Sequence, residues 1–553
     1  MRIFILVVGF VFISISLSQA QNIQLDQRAH QGVIQFLDEL NNLHYLDETF
    51  LVQPLMRSDV AKWLFALDTS QLNERQQKEL QFYKLAFNKD RAAELRPSLQ
   101  WPLKGPLKGL DRYKQPDLGY FHQGDITATL NPIYGITYLN NKNGENGQRR
   151  MGADLQLQIG RVGLYGSLRE VYETIPFSKD SLTAPKEGAQ YKLNTDGSGE
   201  FSDSRGGITY GWKHGYIGLV RDDMKWGYGY YGSNILDINT APFTQIKLHL
   251  APSEWFKFDY FHGSLQSDVT DSSSMASVNG VITFDYFNKF MAGNMMSVRP
   301  WKPMWLSFGN SIIYSSQTPE PTFFIPILFF KSVDHYLNGR NNRAGGNAQM
   351  FSAISFRPLK GLHFYSTLYL DELSTRRMFN TEEHTNWFSL KSGFRWSNIL
   401  PNTTLTFEHF RSNSMVYKHF LQTTDYTNAG YNMGHYLRDN AREFILAIDF
   451  KPLYWLSLQG MYQFAEKGED TQDDRVTRDP ETGLYLIQGL DYLANTQWIQ
   501  SIYSFQVTAQ PIYRLRFTLR IDKIQRPKGN SSYQMPFYYG NNTTISIGAH
   551  YGF

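Results

Sequence analysis

A chain of 553 residues has room for several ordinary domains, or for one large β-barrel with a small companion domain. Its formal net charge of +3 implies no strong field for nucleic acid, and the absence of cysteine excludes disulfides, thiolate metal sites, a cysteine nucleophile and a lipid-anchored mature N-terminus. Aromatic residues make up 15% of a chain that is only 42% hydrophobic, mean hydropathy is −0.41, and no apolar run beyond the N-terminus is long enough for a membrane helix.

The N-terminus reads MRIFILVVGFVFISISLSQAQ. Arg2 supplies a positive start, Ile3 to Leu17 an apolar core, and Ser18-Gln19-Ala20 a small-x-small cleavage site before Gln21. Residues 1–20 are therefore expected to be an export signal.

Residues 21–115 are expected to form a periplasmic helical domain and its linker. Val33, Phe36, Leu37 and Leu40 recur at helical spacing, as do Val60, Trp63, Leu64 and Leu67 after Pro54. Asn73 caps a third helix carrying Leu80 and Tyr83. The stretch RPSLQWPLKGPLKGL, rich in Pro, Gly and Lys, ends the domain.

From about residue 116 the period changes to two. In YRLRFTLR, Tyr513, Leu515, Phe517 and Leu519 oppose Arg514, Arg516, Thr518 and Arg520. GLHFYSTLYL and YWLSLQGMYQF alternate in the same way. A punctuation recurs in RPWKPMWLSF, RPLKGLHFY, KPLYWLSL and QPIYRLRF: a strand end, a Pro, a few residues, then a strand. Pro cannot sit in a central ladder, so these are tight turns. Between them lie long polar stretches at 174–204, 264–291, 315–348, 413–439 and 465–494. Short turns alternating with long loops are the asymmetry of an outer-membrane barrel. Counting strands from one near 122–138 to one near 543–553 gives eighteen, with 16 or 20 as alternatives. The fold class expected is thus mainly β: an 18-stranded antiparallel transmembrane β-barrel over 116–553, with the small helical domain in the periplasm. The chain closes on TISIGAHYGF, where Ile545, Ile547, Ala549, Tyr551 and Phe553 alternate to a terminal aromatic. That pattern points to delivery by the barrel-assembly machinery, with outer-membrane lipid around the finished wall.

Gly227, Gly229 and Gly232 in KWGYGYYGSNIL have the G-x-G-x-x-G spacing of a dinucleotide loop. A helix must follow such a loop, and here SNILDINTAPFTQI has no helical period, so a nucleotide partner is not expected. The glycines instead suit a tight backbone bend. They separate Trp226, Tyr228, Tyr230 and Tyr231, followed by Asn234, Asp237 and Asn239. Aromatic faces pack on sugar rings and polar side chains bond hydroxyls, so this loop, at the outer mouth or folded inward, is the candidate glycan site. Arg340 and Arg343 in NGRNNRAGGN extend it. The same aromatics also suit an interfacial girdle. Arg514, Arg516, Arg520, Lys391 and Arg395 should face the lumen, opposed by Glu443, Asp449 and Glu408, either as ion pairs that stiffen it or as a polar surface for a hydroxyl-rich polymer. His262, His363, His409, His419 and His435 are scattered without metal-ligand spacing, and Glu170 and Glu173 alternate onto opposite faces. No catalytic residue, metal or cofactor is expected.

MKWGYGYYGSNILDINTAPFTQIKL followed by WFKFDYFHGSL resembles the signature region of the Wzi-type capsule-assembly outer-membrane proteins. PLMRSDVAKWL, LNERQQKELQFY and PILFFKSVDHYLNG are similar to theirs as well, so the likeness spans nearly the whole mature chain. Tyr228 departs from the Pro that many relatives carry in this turn. The resemblance implies an eighteen-stranded barrel with a periplasmic helical plug, and a lectin-like role holding capsular or other surface polysaccharide at the cell surface. A porin or channel is the alternative, an outer-membrane hydrolase the second.

Overall fold

Period-two alternation becomes a closed antiparallel barrel in the computed structural model. The structure describes residues 22–90, 98–100, 117–176, 191–238, 240–338, 345–372, 387–419, 421–469, 477–478, 485–486, 492–493, 495–529 and 533–552. The barrel strands are β1 Ile126–Asn141, β2 Gly144–Ile159, β3 Val162–Glu173, β4 Gly199–Trp212, β5 Gly215–Asp222, β6 Phe243–Ser253, β7 Phe256–Val278, β8 Val281–Trp301 and β9 Met304–Tyr314. The second half comprises β10 Asn347–Leu359, β11 Leu362–Glu372, β12 Trp387–Leu400, β13 Thr403–Ser412, β14 Ala441–Leu453, β15 Leu456–Lys467, β16 Trp498–Ile512, β17 Leu515–Lys528 and β18 Asn542–Tyr551. Eighteen strands were expected and eighteen close: β18 pairs with β1 from Ile545↔Asn140 to Tyr551↔Tyr134. Closure leaves no unpaired ladder for a bilayer to desolvate. The short strand Gly119–Gln123 continues that seam beside the start of β1.

The proline punctuation has a clear cause. Pro300, Pro358, Pro452 and Pro511 each fall inside a register shift, between Val298 and Trp301, Phe356 and Leu359, Phe450 and Leu453, and Ala509 and Ile512. Lacking an N–H, proline breaks the ladder one step before a two-residue turn. Two-residue turns of this kind join β2–β3, β4–β5 and so on to β16–β17, and they define one end of the barrel.

The long-loop end departs from expectation at 264–291. These residues are not a loop. They continue β7 and β8 as a protruding hairpin that turns at Asn279 and Gly280, both at positive φ. Its outgoing arm, Gln266 to Ser277, is mostly polar, whereas the return arm carries Val281, Ile282, Phe284, Tyr286 and Phe287 exposed before Phe290 and Met291 rejoin the buried wall.

Three helices form the N-terminal domain: α1 Gln31–Asn42, α2 Arg57–Ala66 and α3 Glu74–Phe87. Asn73 and Gln76 make a reciprocal capping box at the start of α3, at 2.9 and 3.0 Å. Val33, Phe36, Leu37, Leu40, Val60, Leu64, Leu80 and Phe87 are the buried core. The domain seats against the two-residue turns. Gly361 N donates to Asn42 O at 2.7 Å, and Arg357 Nε to Asn42 Oδ1 at 2.9 Å. Lys451 pairs with Glu79 at 2.9 Å, and the Tyr513 ring lies against Phe82, Tyr83 and Phe87. The export signal and most of the Pro-Gly-Lys linker lie outside the described residues, while Ser98–Gln100 of the linker pair with Tyr120–His122.

Candidate functional site

The loop between β5 and β6 folds into the barrel. Arg28 from the N-terminal domain holds both of its ends, pairing with Asp223 at 2.8 Å and donating to Ile238 O at 2.6 Å. Inside this clasp, Trp226 and Leu236 exchange backbone bonds at 3.0 and 3.2 Å, and Trp226 also aligns with Val52 of the helical domain. The tip is a narrow bend in which Gly227 and Gly229 have φ of 115° and 136°. A Cβ on Gly227 would strike the Ser233 side chain, and one on Gly229 the Gly232 carbonyl. The three glycines therefore shape a backbone bend, and no helix follows them.

Most of the loop's aromatics and polar groups are consumed by the barrel. Trp226 is 1% exposed, edge-on to Phe261 and Phe351 with centroids 5.1 and 5.9 Å away. Tyr228 shares a hydrogen bond with Thr49 at 2.7 Å. Asn234 is fully buried. Its amide nitrogen lies 3.1 Å from the Thr367 and Ser389 carbonyls, and its oxygen accepts from Thr367 Oγ1 at 2.5 Å. Tyr417 donates to the Asn234 carbonyl at 2.7 Å, and Asp237 N donates to Met433 O at 2.7 Å. The 413–440 connection thus grips the loop from one side and the helical domain from the other.

Of the two positions the sequence left open, outer mouth or folded inward, Trp226, Tyr228 and Asn234 take the second: they lie inside the barrel. The cause is the inner wall of β7 to β10, which is apolar where a lumen is ordinarily polar. Phe261, Met291, Met295, Ile313 and Phe351 face inward and are buried, and the loop covers them. Leaving that surface wet would cost about 25 cal/mol per Å². Asn239, Arg340 and Arg343 lie outside the described residues.

Tyr230 and Tyr231 sit differently. Tyr230 donates its hydroxyl to Asp38 at 2.8 Å, and the Arg395 guanidinium lies 4.3 Å over its ring. Glu408 gathers the Tyr230 N–H at 2.5 Å, the Tyr365 hydroxyl at 2.7 Å and the Lys391 ammonium at 2.7 Å. Lys391 and Glu408 are both sealed from solvent, and each charge is compensated by the other. Tyr231 is half-buried and accepts from Gln459 at 3.2 Å.

Beyond this loop lies a cavity of about 820 Å³. Tyr228, Tyr230, Tyr231 and Asp237 line one side of it, and the start of α1 lines another. Its far wall is the inner face of β14 to β18 with β1 and β2: Asp449, Gln459, Gln506, Arg520, Asp522 and Arg526. Arg520 pairs with Asp522 at 2.8 Å and keeps a side-chain exposure of 40%. Asp449 accepts from Gln459 at 2.7 Å. Glu443 sits deeper, bound to Tyr436 at 2.5 Å and to His435 at 3.2 Å. Arg514 and Arg516 belong to the helical-domain seat instead. Arg514 pairs with Asp117 and Asp154, both at 2.9 Å, and Arg516 donates to Ala29 O at 3.2 Å. The glutamines of β15 and β16 were not singled out in the sequence, although their alternation with Leu458, Tyr462 and Phe505 places them inward. Among the described residues no cluster of three or more His, Asp or Glu side chains could hold a metal.

The profile of the capsule assembly protein Wzi family matches residues 71–535. The chain belongs to the Wzi family. Its fold is similar to that of Wzi from Escherichia coli, described as an outer-membrane protein involved in group 1 capsule assembly and a carbohydrate-binding β-barrel. That likeness has a TM-score of 0.54 at 11% identity and covers 97% of this chain and 100% of that one. Pseudomonas aeruginosa OccK5 (OpdH) is similar over 77% of this chain and 97% of its own, with a TM-score of 0.42 at 12% identity. P. aeruginosa OccK3 (OpdO) gives 0.40 at 10% identity, over 77% and 95%. A comparison with curated protein sequences finds no match. The chain is thus a Wzi-family β-barrel.

Proposed function

We propose that this Wzi-family barrel is a non-enzymatic glycan-holding protein that helps attach or assemble capsular or other surface polysaccharide. Residues 1–20 direct export, 21–115 form a periplasmic helical domain and linker, and 116–553 form the barrel, whose two-residue turns face the periplasm. The C-terminal sequence TISIGAHYGF engages the assembly machinery.

The observation that carries the reading is the cavity. It places Tyr231, a partly exposed ring, beside a wall of Gln, Asp and Arg side chains that includes Arg520. A ring face with fanned amide, carboxylate and guanidinium groups is what hydroxyl-rich polymers need for stacking and bidentate bonding. Tyr230, Tyr228 and Asp237 line the same side of the cavity as Tyr231, opposite that wall. Trp226 and Asn234 support the loop from behind. Asn239, Arg340 and Arg343 are proposed as further glycan contacts on the strength of their residue types alone.

The test is co-sedimentation of purified, folded protein with surface polysaccharide harvested from the cells that make it. Tyr231→Ala with Arg520→Ala should weaken binding at least tenfold while the barrel still migrates as a folded species in unheated gels. Unchanged binding by that double variant would sink the site. Conductance of the wild-type protein in planar bilayers, together with unaltered binding, would favour the channel alternative.

A further inference from the structure

The described part of the connection between β9 and β10, residues 315–338, does not arch over the barrel. It turns back along the outside of the wall. The phase of β7, β8 and β9 fixes which face is outside: Met296 and Phe308 are 46% and 57% exposed, whereas Met295, Ser307 and Ile313, in the opposite phase, are buried toward the lumen. Tyr260, Asn294, Asn310 and Ile312 share the outward phase, yet all are buried. Pro321–Phe324, a 3-10 turn, and α4, Phe330–Asn338, cover them. Tyr260 donates to Phe323 O at 2.9 Å, and the Phe323 ring packs on Tyr314 and Phe330 with centroids 4.8 and 5.9 Å away.

Asn294 and Asn310 are the telling pair. They are cross-strand neighbours on an outer wall that should carry only apolar side chains, because an unpartnered amide in hydrocarbon costs several kcal/mol. Here both are satisfied. Asn294 Nδ2 donates to Pro326 O at 2.8 Å and Leu328 O at 2.9 Å, and its oxygen accepts from Asn310 at 2.7 Å. Asn310 Oδ1 accepts the Phe330 N–H at 2.8 Å. The pair therefore reads the main chain of 326–330, and the segment in turn shields the pair.

The opposite side of that segment is apolar and bare. Phe324, Ile325, Ile327 and Phe329 are 39%, 48%, 78% and 46% exposed. Asn310 lies six residues along β9 from Met304, which at strand rise and barrel tilt is roughly 14 Å above the turn end of an apolar band about 25 Å tall. The bare face is also continuous with the lipid-facing side chains Phe308 and Met296.

We propose that residues 321–338 form an interfacial clamp on the outside of the barrel: the Phe324–Phe329 face contacts the acyl chains of the outer leaflet, while Asn294 and Asn310 fasten the segment to the wall. The occupant is lipid, because the surface continues a lipid-facing wall at the same depth. α4 packs its own apolar face, Phe330, Val333 and Leu337, on the wall and leaves Ser332 and His335 exposed, so the lipid contact falls to the Phe324–Phe329 stretch before it. The inference is independent of glycan binding.

The chain has no native cysteine, so single nitroxides can be placed cleanly. Ile327→Cys, Phe308→Cys and Lys302→Cys, labelled and reconstituted in vesicles of phosphatidylethanolamine and phosphatidylglycerol, are compared by power saturation with oxygen and with a water-soluble nickel chelate. The oxygen-to-nickel accessibility ratio at 327 should exceed unity severalfold, as at 308 on the wall, whereas 302 in a turn should fall below unity. A ratio below unity at 327 overturns the proposal. Ile325→Cys gives the same reading if the first labelled variant fails to fold.

Discussion

The two halves of the lumen answer the same physical problem differently. Under β7 to β13 the inner wall is apolar or tightly paired, and the β5–β6 loop fills it as a core would: Trp226 on Phe261, Asn234 between two strand carbonyls, Glu408 locked to Lys391. Under β14 to β18 the inner wall presents Gln, Asp and Arg, the 413–440 connection and the helical domain cover only part of it, and a cavity of about 820 Å³ remains. One half gives up its polar groups to hold a shape. The other keeps them facing open volume. Aromatic residues in one loop serve both halves, and only burial separates the ring that braces, Trp226, from the ring that lines the cavity, Tyr231.

The comparison breaks most visibly at Trp226. Replacing it with Ala should empty the filled half and cost about 3–5 kcal/mol, the range for buried large aromatics. The check is the temperature at which the purified protein loses its folded gel mobility, with glycan binding falling only in step with the folded fraction. Binding lost at full stability would move Trp226 to the ligand. Asn234→Ala ranks next: it strips the Thr367 and Ser389 carbonyls of their donor, worth about 1–3 kcal/mol. It should lower the same transition less, and Asn234→Asp should not rescue it, because a carboxylate supplies no donor to either carbonyl.

Acid tests the floor under both halves. His30 lies between Asp26 and Arg57, and burial together with the Arg57 guanidinium pulls its pKa down to about 3. The unfolded chain, with an ordinary value near 6.5, therefore binds more protons across that interval, and stability falls as pH drops below about 6.5. Asp26 acts in the same direction at lower pH. Although burial opposes it, Arg169 and Arg205 hold its carboxyl well below the usual range, so its contribution is lost as pH falls through that of an ordinary carboxylate. At pH 5.5 the His30 effect alone amounts to roughly 1.4 kcal/mol. Urea midpoints at pH 7.5 and 5.5 should show it, and His30→Gln should flatten the difference.

Much of this was legible in the sequence, and unevenly so. Strand number was readable because the wall alternates faithfully and proline marks the bulge before several of the two-residue turns, as Pro452 does between Phe450 and Leu453. The Arg514 to Arg520 face was readable for the same reason. What alternation could not convey was which inward residues meet a partner from elsewhere. Phe261 and Phe351 look like any inward aromatic until the β5–β6 loop is seen to cover them, and Asn294 and Asn310 look like errors in a lipid-facing phase until 326–330 supply their partners. Non-local pairing decided both, and a period carries no information about it. The 264–291 hairpin escaped for a related reason: its outgoing arm, Gln266 to Ser277, outruns the barrel wall and needs no apolar face, so that arm has the composition of a loop.

The smallest expected effect on stability is the most informative about the comparison. Arg520 is 40% exposed and pairs with Asp522 at the cavity's edge, so Arg520→Gln removes an ion pair that water already screens. Its transition should shift by no more than about 0.5 kcal/mol, within the range of surface substitutions. Its glycan binding should nevertheless fall several-fold, because a planar guanidinium offers hydroxyl groups a bidentate fork that an amide only partly reproduces. Asp522→Asn separates the remaining possibilities. If Arg520 serves chiefly to neutralise Asp522, removing that charge restores binding to the Arg520→Gln protein. If Arg520 itself engages the polymer, the double variant stays as weak as the single one, and the cavity half of the lumen is a binding surface in its own right.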